Sequence, residues 1–166
     1  MLRFLNIFLI PWRTIVKFKL IAISSIVALT ALTATIVNAQ FAKPDAAVKY
    51  RKAAFTVMGT HFARIGAVAK GEVPFNKEEV AKNAAIVSSM SHLPWQGFGP
   101  GTEGGDALPS VWSENAKFTS LSEKLTAATA ALNTAAQSGD LDAVKKAVGA
   151  TGQACKACHD DFKKKG

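Results

Sequence analysis

Cysteine is scarce in this chain, with two in 166 residues. They stand three positions apart, at Cys155 and Cys158. A disulfide between them would close a loop too short to restrain the unfolded chain much, so cross-linking is a poor reason for the pair. Strand signals are also missing. No run alternates apolar and polar side chains with β-branched enrichment, which argues against a sheet. The chain has no internal repeat, no Gly-rich phosphate loop, and no Ser, His and Asp spacing that argues for a catalytic triad. Nucleotide-binding and hydrolase readings therefore lack support, and no enzyme machinery stands out.

Acidic side chains are absent from residues 1–39, which carry only Arg3, Arg13, Lys17 and Lys19 as charged groups. An apolar run from Leu20 to Val37, thinned by Ser and Thr, ends in Val37-Asn38-Ala39 ahead of Gln40. Basic segment, apolar run and small-residue exit together predict a secretory signal peptide over 1–39, cleaved after Ala39. A working domain of 127 residues, 40–166, follows. Sixteen basic side chains then face 12 acidic ones, so the net charge falls from +8 to +4. That is a mild surface charge. Its densest run, Lys163-Lys164-Lys165, reads as a solvated tail rather than a nucleic-acid patch.

Helical spacing recurs four times. The first helix opens at Pro44, a favourable first-turn residue, with Asp45 near the positive end of the dipole. Val48, Phe55, Met58, Phe62 and Ile65 form its apolar stripe, and Gly71 and Pro74 end it. The second begins at Asn76, with Glu79 three positions on as in a capping box. Its stripe is Val80, Val87 and Met90, and Pro94 stops it. The third is expected from Ser110 to Gln137, with Val111, Phe118, Leu121, Leu125 and Leu132 inward. Asp140 caps the fourth, which carries Leu141, Val144, Val148 and the cysteines. The one long connection is Pro94 to Pro109, "PWQGFGPGTEGGDALP", and a loop of that length usually has a function. The other connections are short, which predicts antiparallel neighbours. The fold class is therefore all-α: an antiparallel four-helix bundle with one longer crossover loop.

Cys155 and Cys158 are followed at once by His159. A structural zinc site wants four ligands, and adjacent Cys158 and His159 do not readily bind one ion together. A thioredoxin-like pair expects a strand leading into a helix. Cys-x-x-Cys-His is instead the signature of c-type haem attachment. Each thiol forms a thioether to one vinyl group, and His159 reaches the iron. The cofactor expected is one haem c per chain, bound covalently through Cys155 and Cys158, near the C-terminal helix.

Three stretches carry a family resemblance: "QFAKPDAAVKYRKAAFTVM", "LPWQGFGPGTEGGDALPSVWS" and "CKACHDDFKKK". Across Gln40 to Lys165 the chain resembles cytochrome c′, the class II c-type cytochromes. The resemblance implies a four-helix bundle, usually a homodimer, with a largely five-coordinate haem in the periplasm. It implies Cys155 and Cys158 as haem attachments and His159 as axial ligand and metal site. It also aligns Arg51, Lys52 and Asp106 with residues touching the haem or its propionates, and sets Phe55 over the iron. Lys52 and Lys163 depart from a frequent Gln and Arg, and an ammonium is not equivalent to a guanidinium.

From the residues alone, Arg51, Phe55 and Met58 share one helix face. Arg51 can meet a propionate while Phe55 points at the cofactor, although periodicity alone favours plain core packing for Phe55 and Met58. His61 and His92 are further candidates for an axial ligand, although a lone histidine of this kind is more often a surface or capping residue. Two functions remain open at this point. With Phe55 over the iron, the haem keeps a free position for nitric oxide or carbon monoxide, with electron transfer as a further role. With Met58 as sixth ligand, the protein is a low-spin electron carrier with an unknown redox partner.

Overall fold

The structure is a computed structural model that describes residue 41 and residues 43–165. The expected leader, 1–39, lies outside the described residues. Four long helices form the frame: α1 (Pro44–Ala69), α2 (Lys77–Met90), α4 (Asn115–Ser138) and α5 (Leu141–Phe162). A 3-10 turn, Pro94–Phe98, and a single-turn helix, α3 (Ser110–Ser113), lie in the crossover between α2 and α4. Helix α1 packs on α2, α2 on α4 and α4 on α5, while α1 closes the bundle against α5. There are no strands among the described residues, only an isolated bridge between Ala107 and Lys163. None of the described helices is long and apolar enough to cross a membrane.

Local chemistry sets the helix ends. Asn76 accepts a hydrogen bond from the Glu79 N–H at 2.9 Å, and Asp140 accepts from the N–H groups of Asp142 and Ala143. These are the side-chain caps that helix N-termini need for their unpaired donors. Gly139 follows α4 with φ of 77°, a left-handed stop that glycine adopts without a Cβ penalty. The expected stripes are inward. Met58, Ile65, Val80, Val87, Leu125, Leu132 and Val144 are all buried in one core.

The third helix differs from expectation. It starts as α3, breaks at Glu114 (φ −110°, ψ 39°) and resumes as α4. The reason is tertiary. The Trp112 indole N–H donates to Gly99 O at 3.0 Å, and the Ser110 hydroxyl donates to Asp161 O at 3.2 Å. Those bonds hold α3 against the crossover and α5, out of line with α4.

The crossover is strapped down at both ends. Leu108 N–H donates to Phe162 O at 2.9 Å and Lys164 N–H to Asp106 O at 2.8 Å. At the other end, Gly97 lies so close to α1 that a Cβ there would stand 2.9 Å from Ala47 O and 3.0 Å from Arg51 Cβ. Only glycine allows that approach without a shift.

Candidate haem site

Cys155, Cys158 and His159 occupy positions i, i+3 and i+4 of α5, so helix geometry turns all three to one side. They border a cavity of about 390 Å³. From α1, Arg51, Lys52, Phe55 and Met58 line the same space, and from the crossover comes Asp106. All seven expected site residues thus surround one cavity, although Asp106 is 55 positions from Arg51 in sequence. The wall between is apolar, with Trp95, Phe98, Phe118, Leu125 and Phe162.

Electrostatics narrows the chemistry. Burial pushes both thiols above their ordinary pKa. Cys158 rises to about 11, with Cys155 and Asp161 adding to the effect. A thiol-exchange site needs a depressed pKa to supply thiolate, so these cysteines do not suit that role. Partial burial, reinforced by Lys163, holds the His159 imidazole below its ordinary pKa. The neutral ring is the form that binds a metal. Among the described residues no three His, Cys, Asp or Glu side chains converge on a single ion. A protein-only zinc site is therefore not formed here.

Arg51 also holds the crossover, a role that its helix spacing did not suggest. It is 3% exposed. Its guanidinium donates to Gly97 O, to Thr102 O at 2.7 Å and to Gly104 O at 2.7 Å. The cation also lies 4.4 Å from the Phe98 ring centroid and 5.6 Å from that of Trp112. Arg51 is thus first a clamp on the crossover. Burial lowers its pKa, and Glu103 and Asp106 oppose the shift. The charge persists, because guanidinium stays protonated in proteins. Three of its five N–H groups serve the loop, and the side chain also borders the cavity. Lys52 pairs with Asp106 at 3.2 Å, both side chains 56% exposed. Such an exposed pair is worth about 0–1 kcal/mol.

Phe55 is half-buried and meets Trp95 edge-on at 5.7 Å and Phe98 at 6.3 Å. Met58 is buried on the same wall. His61 is not at the cavity. Its Nδ1 is 2.7 Å from Asn83 Oδ1, linking α1 to α2. His92 is exposed and also away from the cavity. Sequence reasoning missed the aromatic wall of Trp95, Phe98 and Phe162. Its signal was present in "PWQGF", where two large rings interrupt a Gly- and Pro-rich crossover.

These residues fit a flat apolar macrocycle with carboxylate arms. Two thiols and an imidazole share one face, the walls are aromatic and aliphatic, and Arg51, Lys52 and Lys163 supply cations. The family model described as cytochrome C' matches residues 46–163. This chain belongs to the cytochrome c′ family. It is 46% identical over 126 residues to cytochrome c′ of Alcaligenes xylosoxydans xylosoxydans, covering 76% of this chain and 99% of that protein. It is 47% identical to the Rubrivivax gelatinosus protein over 129 residues, with 76% and 100% covered. Among solved structures, a nitric oxide complex of a cytochrome c′ variant from Alcaligenes xylosoxidans superimposes with a TM-score of 0.74. It is 45% identical, and the match covers 76% of this chain and 99% of the other. The Rubrivivax gelatinosus crystal structure matches with a TM-score of 0.73 at 46% identity, covering 75% and 99%. These neighbours are four-helix bundles, as this chain is. As a cytochrome c′, the chain carries haem c, and the two cysteines near its C-terminus supply the covalent attachment.

Proposed function

We propose that this protein is a periplasmic monohaem cytochrome c′ with a largely five-coordinate haem that takes up nitric oxide and carbon monoxide. The bound haem would supply an iron with an open position for small uncharged gases. In this reading His159 would bind the iron, and Phe55, which cannot coordinate, would leave its other side open to gas. The observation that carries it is the cavity wall itself: α1 presents Phe55, a ring with no donor atom, to the space that α5 borders with His159. Nitric oxide complexes are known for variants of the Alcaligenes xylosoxidans relative, at 45–46% identity, which supports the choice of ligand. Arg51 and Lys52 would meet the propionates, with Asp106 beside them paired to Lys52. The leader at 1–39 delivers the chain to the periplasm. Electron transfer is a further role, and the protein acts as a carrier rather than an enzyme.

The test is the absorption spectrum of the ferrous protein with and without carbon monoxide. A high-spin spectrum that responds to the gas is expected. One observation favours a second reading. Met58 also borders the cavity, and its thioether can bind iron. A sharp low-spin spectrum with no response would make the protein an electron carrier with Met58 as sixth ligand. Replacing His159 with Ala is expected to abolish normal ligation. An unchanged spectrum in that variant would remove His159 from its role.

A homodimer through α1 and α2 completes the proposal, and Val57, 42% exposed on α1, supports an apolar contact there. Sedimentation equilibrium at micromolar concentration is expected to give the dimer mass. The monomer mass alone would overturn it.

A further inference from the structure

A second cavity, of about 510 Å³, lies between the crossover and α4. Its rim is polar and exposed, with Glu103, Asn115 and Thr119. Its floor is aromatic, and three of the floor residues, Trp95, Phe98 and Phe118, also line the haem cavity. The partition between the two spaces is therefore one side chain thick.

The three rings form a triangle with unequal sides. Phe98 and Phe118 are 4.9 Å apart between centroids, Trp95 and Phe118 are 5.8 Å apart, and Trp95 and Phe98 are 6.4 Å apart. The widest side is a stacked pair, and its two members are anchored to different helices. The Trp95 indole N–H donates to Ser91 O at 2.6 Å, tying that ring to the end of α2. Phe98 lies beneath the Arg51 guanidinium, tying it to α1. Each ring is restrained by a different helix, and Phe55 packs against both on the haem side. Floor and partition offer carbon surfaces, which suit an apolar diatomic molecule and reject ions and water. An ion or polar solute would have to leave its hydration shell at the rim.

We propose that this second cavity is the route by which dissolved gas reaches the haem cavity, passing between Trp95 and Phe98. The proposal rests on the gas-binding reading above. A route differs from a binding residue in a measurable way. Narrowing it raises one barrier common to entry and escape, so both rates fall by one factor and the equilibrium is unmoved.

Thr119 and Asn115 border only the second cavity. Thr119→Trp and Asn115→Trp, made separately in the haem-loaded protein, fill the cleft from its exposed rim. Carbon monoxide association and dissociation, followed by flash photolysis and by ligand replacement, are expected to slow together by roughly tenfold. That is the slowing produced by about 1.4 kcal/mol of added barrier. The affinity and the ferrous spectrum stay as in the parent. Xenon under pressure, followed by its NMR shift, is expected to enter the parent cleft and be displaced in both variants. Unchanged association rates in both variants would overturn the route while leaving gas binding intact. A changed affinity with an unchanged dissociation rate would also overturn it. A parent protein that takes up no carbon monoxide would end both readings.

Discussion

The two ends of the bundle are built from different materials. At the end holding the α1–α2 and α4–α5 turns, the core is aliphatic: Ile65, Val68, Val80, Ala84, Leu132, Ala136 and Val144. Its helices are stopped by side-chain caps and Gly139. At the other end, six large rings (Phe55, Trp95, Phe98, Trp112, Phe118 and Phe162) contact one another around two cavities. There the backbone is tied by long-range bonds from Arg51, Trp112, Ser110 and Lys164. The first end stabilises the fold with close-packed aliphatic side chains, against which Phe62 and Phe75 pack. The second uses rigid rings and a clamped loop to keep space open beside the cysteines. Close packing and a ligand cavity are incompatible demands, and the bundle separates them along its length.

Four experiments test that division. The largest effect is expected at the haem end. In the Cys155→Ala, Cys158→Ala double variant, acidified organic solvent should extract all of the pigment, whereas none should leave the parent. Extraction from the parent would contradict covalent attachment.

Next is the aliphatic end. Leu132 is fully buried. Leu132→Ala is expected to cost about 2–5 kcal/mol in urea unfolding, as for other large-to-small core changes. The ferrous spectrum should not change. A spectral change from so remote a site would mean that the two ends are not independent.

The third substitution loosens the clamp. Arg51→Gln leaves three loop carbonyls without their cation and is expected to cost about 1–3 kcal/mol. Limited proteolysis should cut the crossover faster, between Gly99 and Asp106. Arg51→Lys should not restore resistance, because one ammonium cannot span acceptors that a guanidinium fork reaches. Proteolysis as slow as in the parent would show that the straps from Leu108 and Lys164 suffice.

The smallest effect separates the two distal readings. Moving a packed ring off its rotamer costs on the order of 1 kcal/mol. Phe55→Ala is therefore expected to tighten carbon monoxide binding by roughly fivefold. Met58→Ala should change it little. If Met58→Ala instead converts a low-spin protein to high spin, Met58 rather than Phe55 faces the iron.

Much of this arrangement was legible in the residues. The four helices, the caps at Asn76 and Asp140, and the aliphatic stripes all follow from spacings within one or two turns. The attachment motif is legible for the same reason, since Cys155, Cys158 and His159 need only a helix to face one way. The break at Glu114 was not legible. It results from Trp112 and Ser110 bonding to Gly99 and Asp161, and nothing in the local pattern of 110–137 records those partners.

Arg51 marks the boundary between the two kinds of information. The sequence alone determined that it shares a helix face with Phe55 and Met58, because 3.6 residues per turn requires it. Only the tertiary structure decided what its donors meet. Its acceptors are carbonyls 46, 51 and 53 positions away. Every residue offers a carbonyl, so no side-chain pattern distinguishes the three that are bonded. They are selected by where the glycines of the crossover let the backbone approach α1.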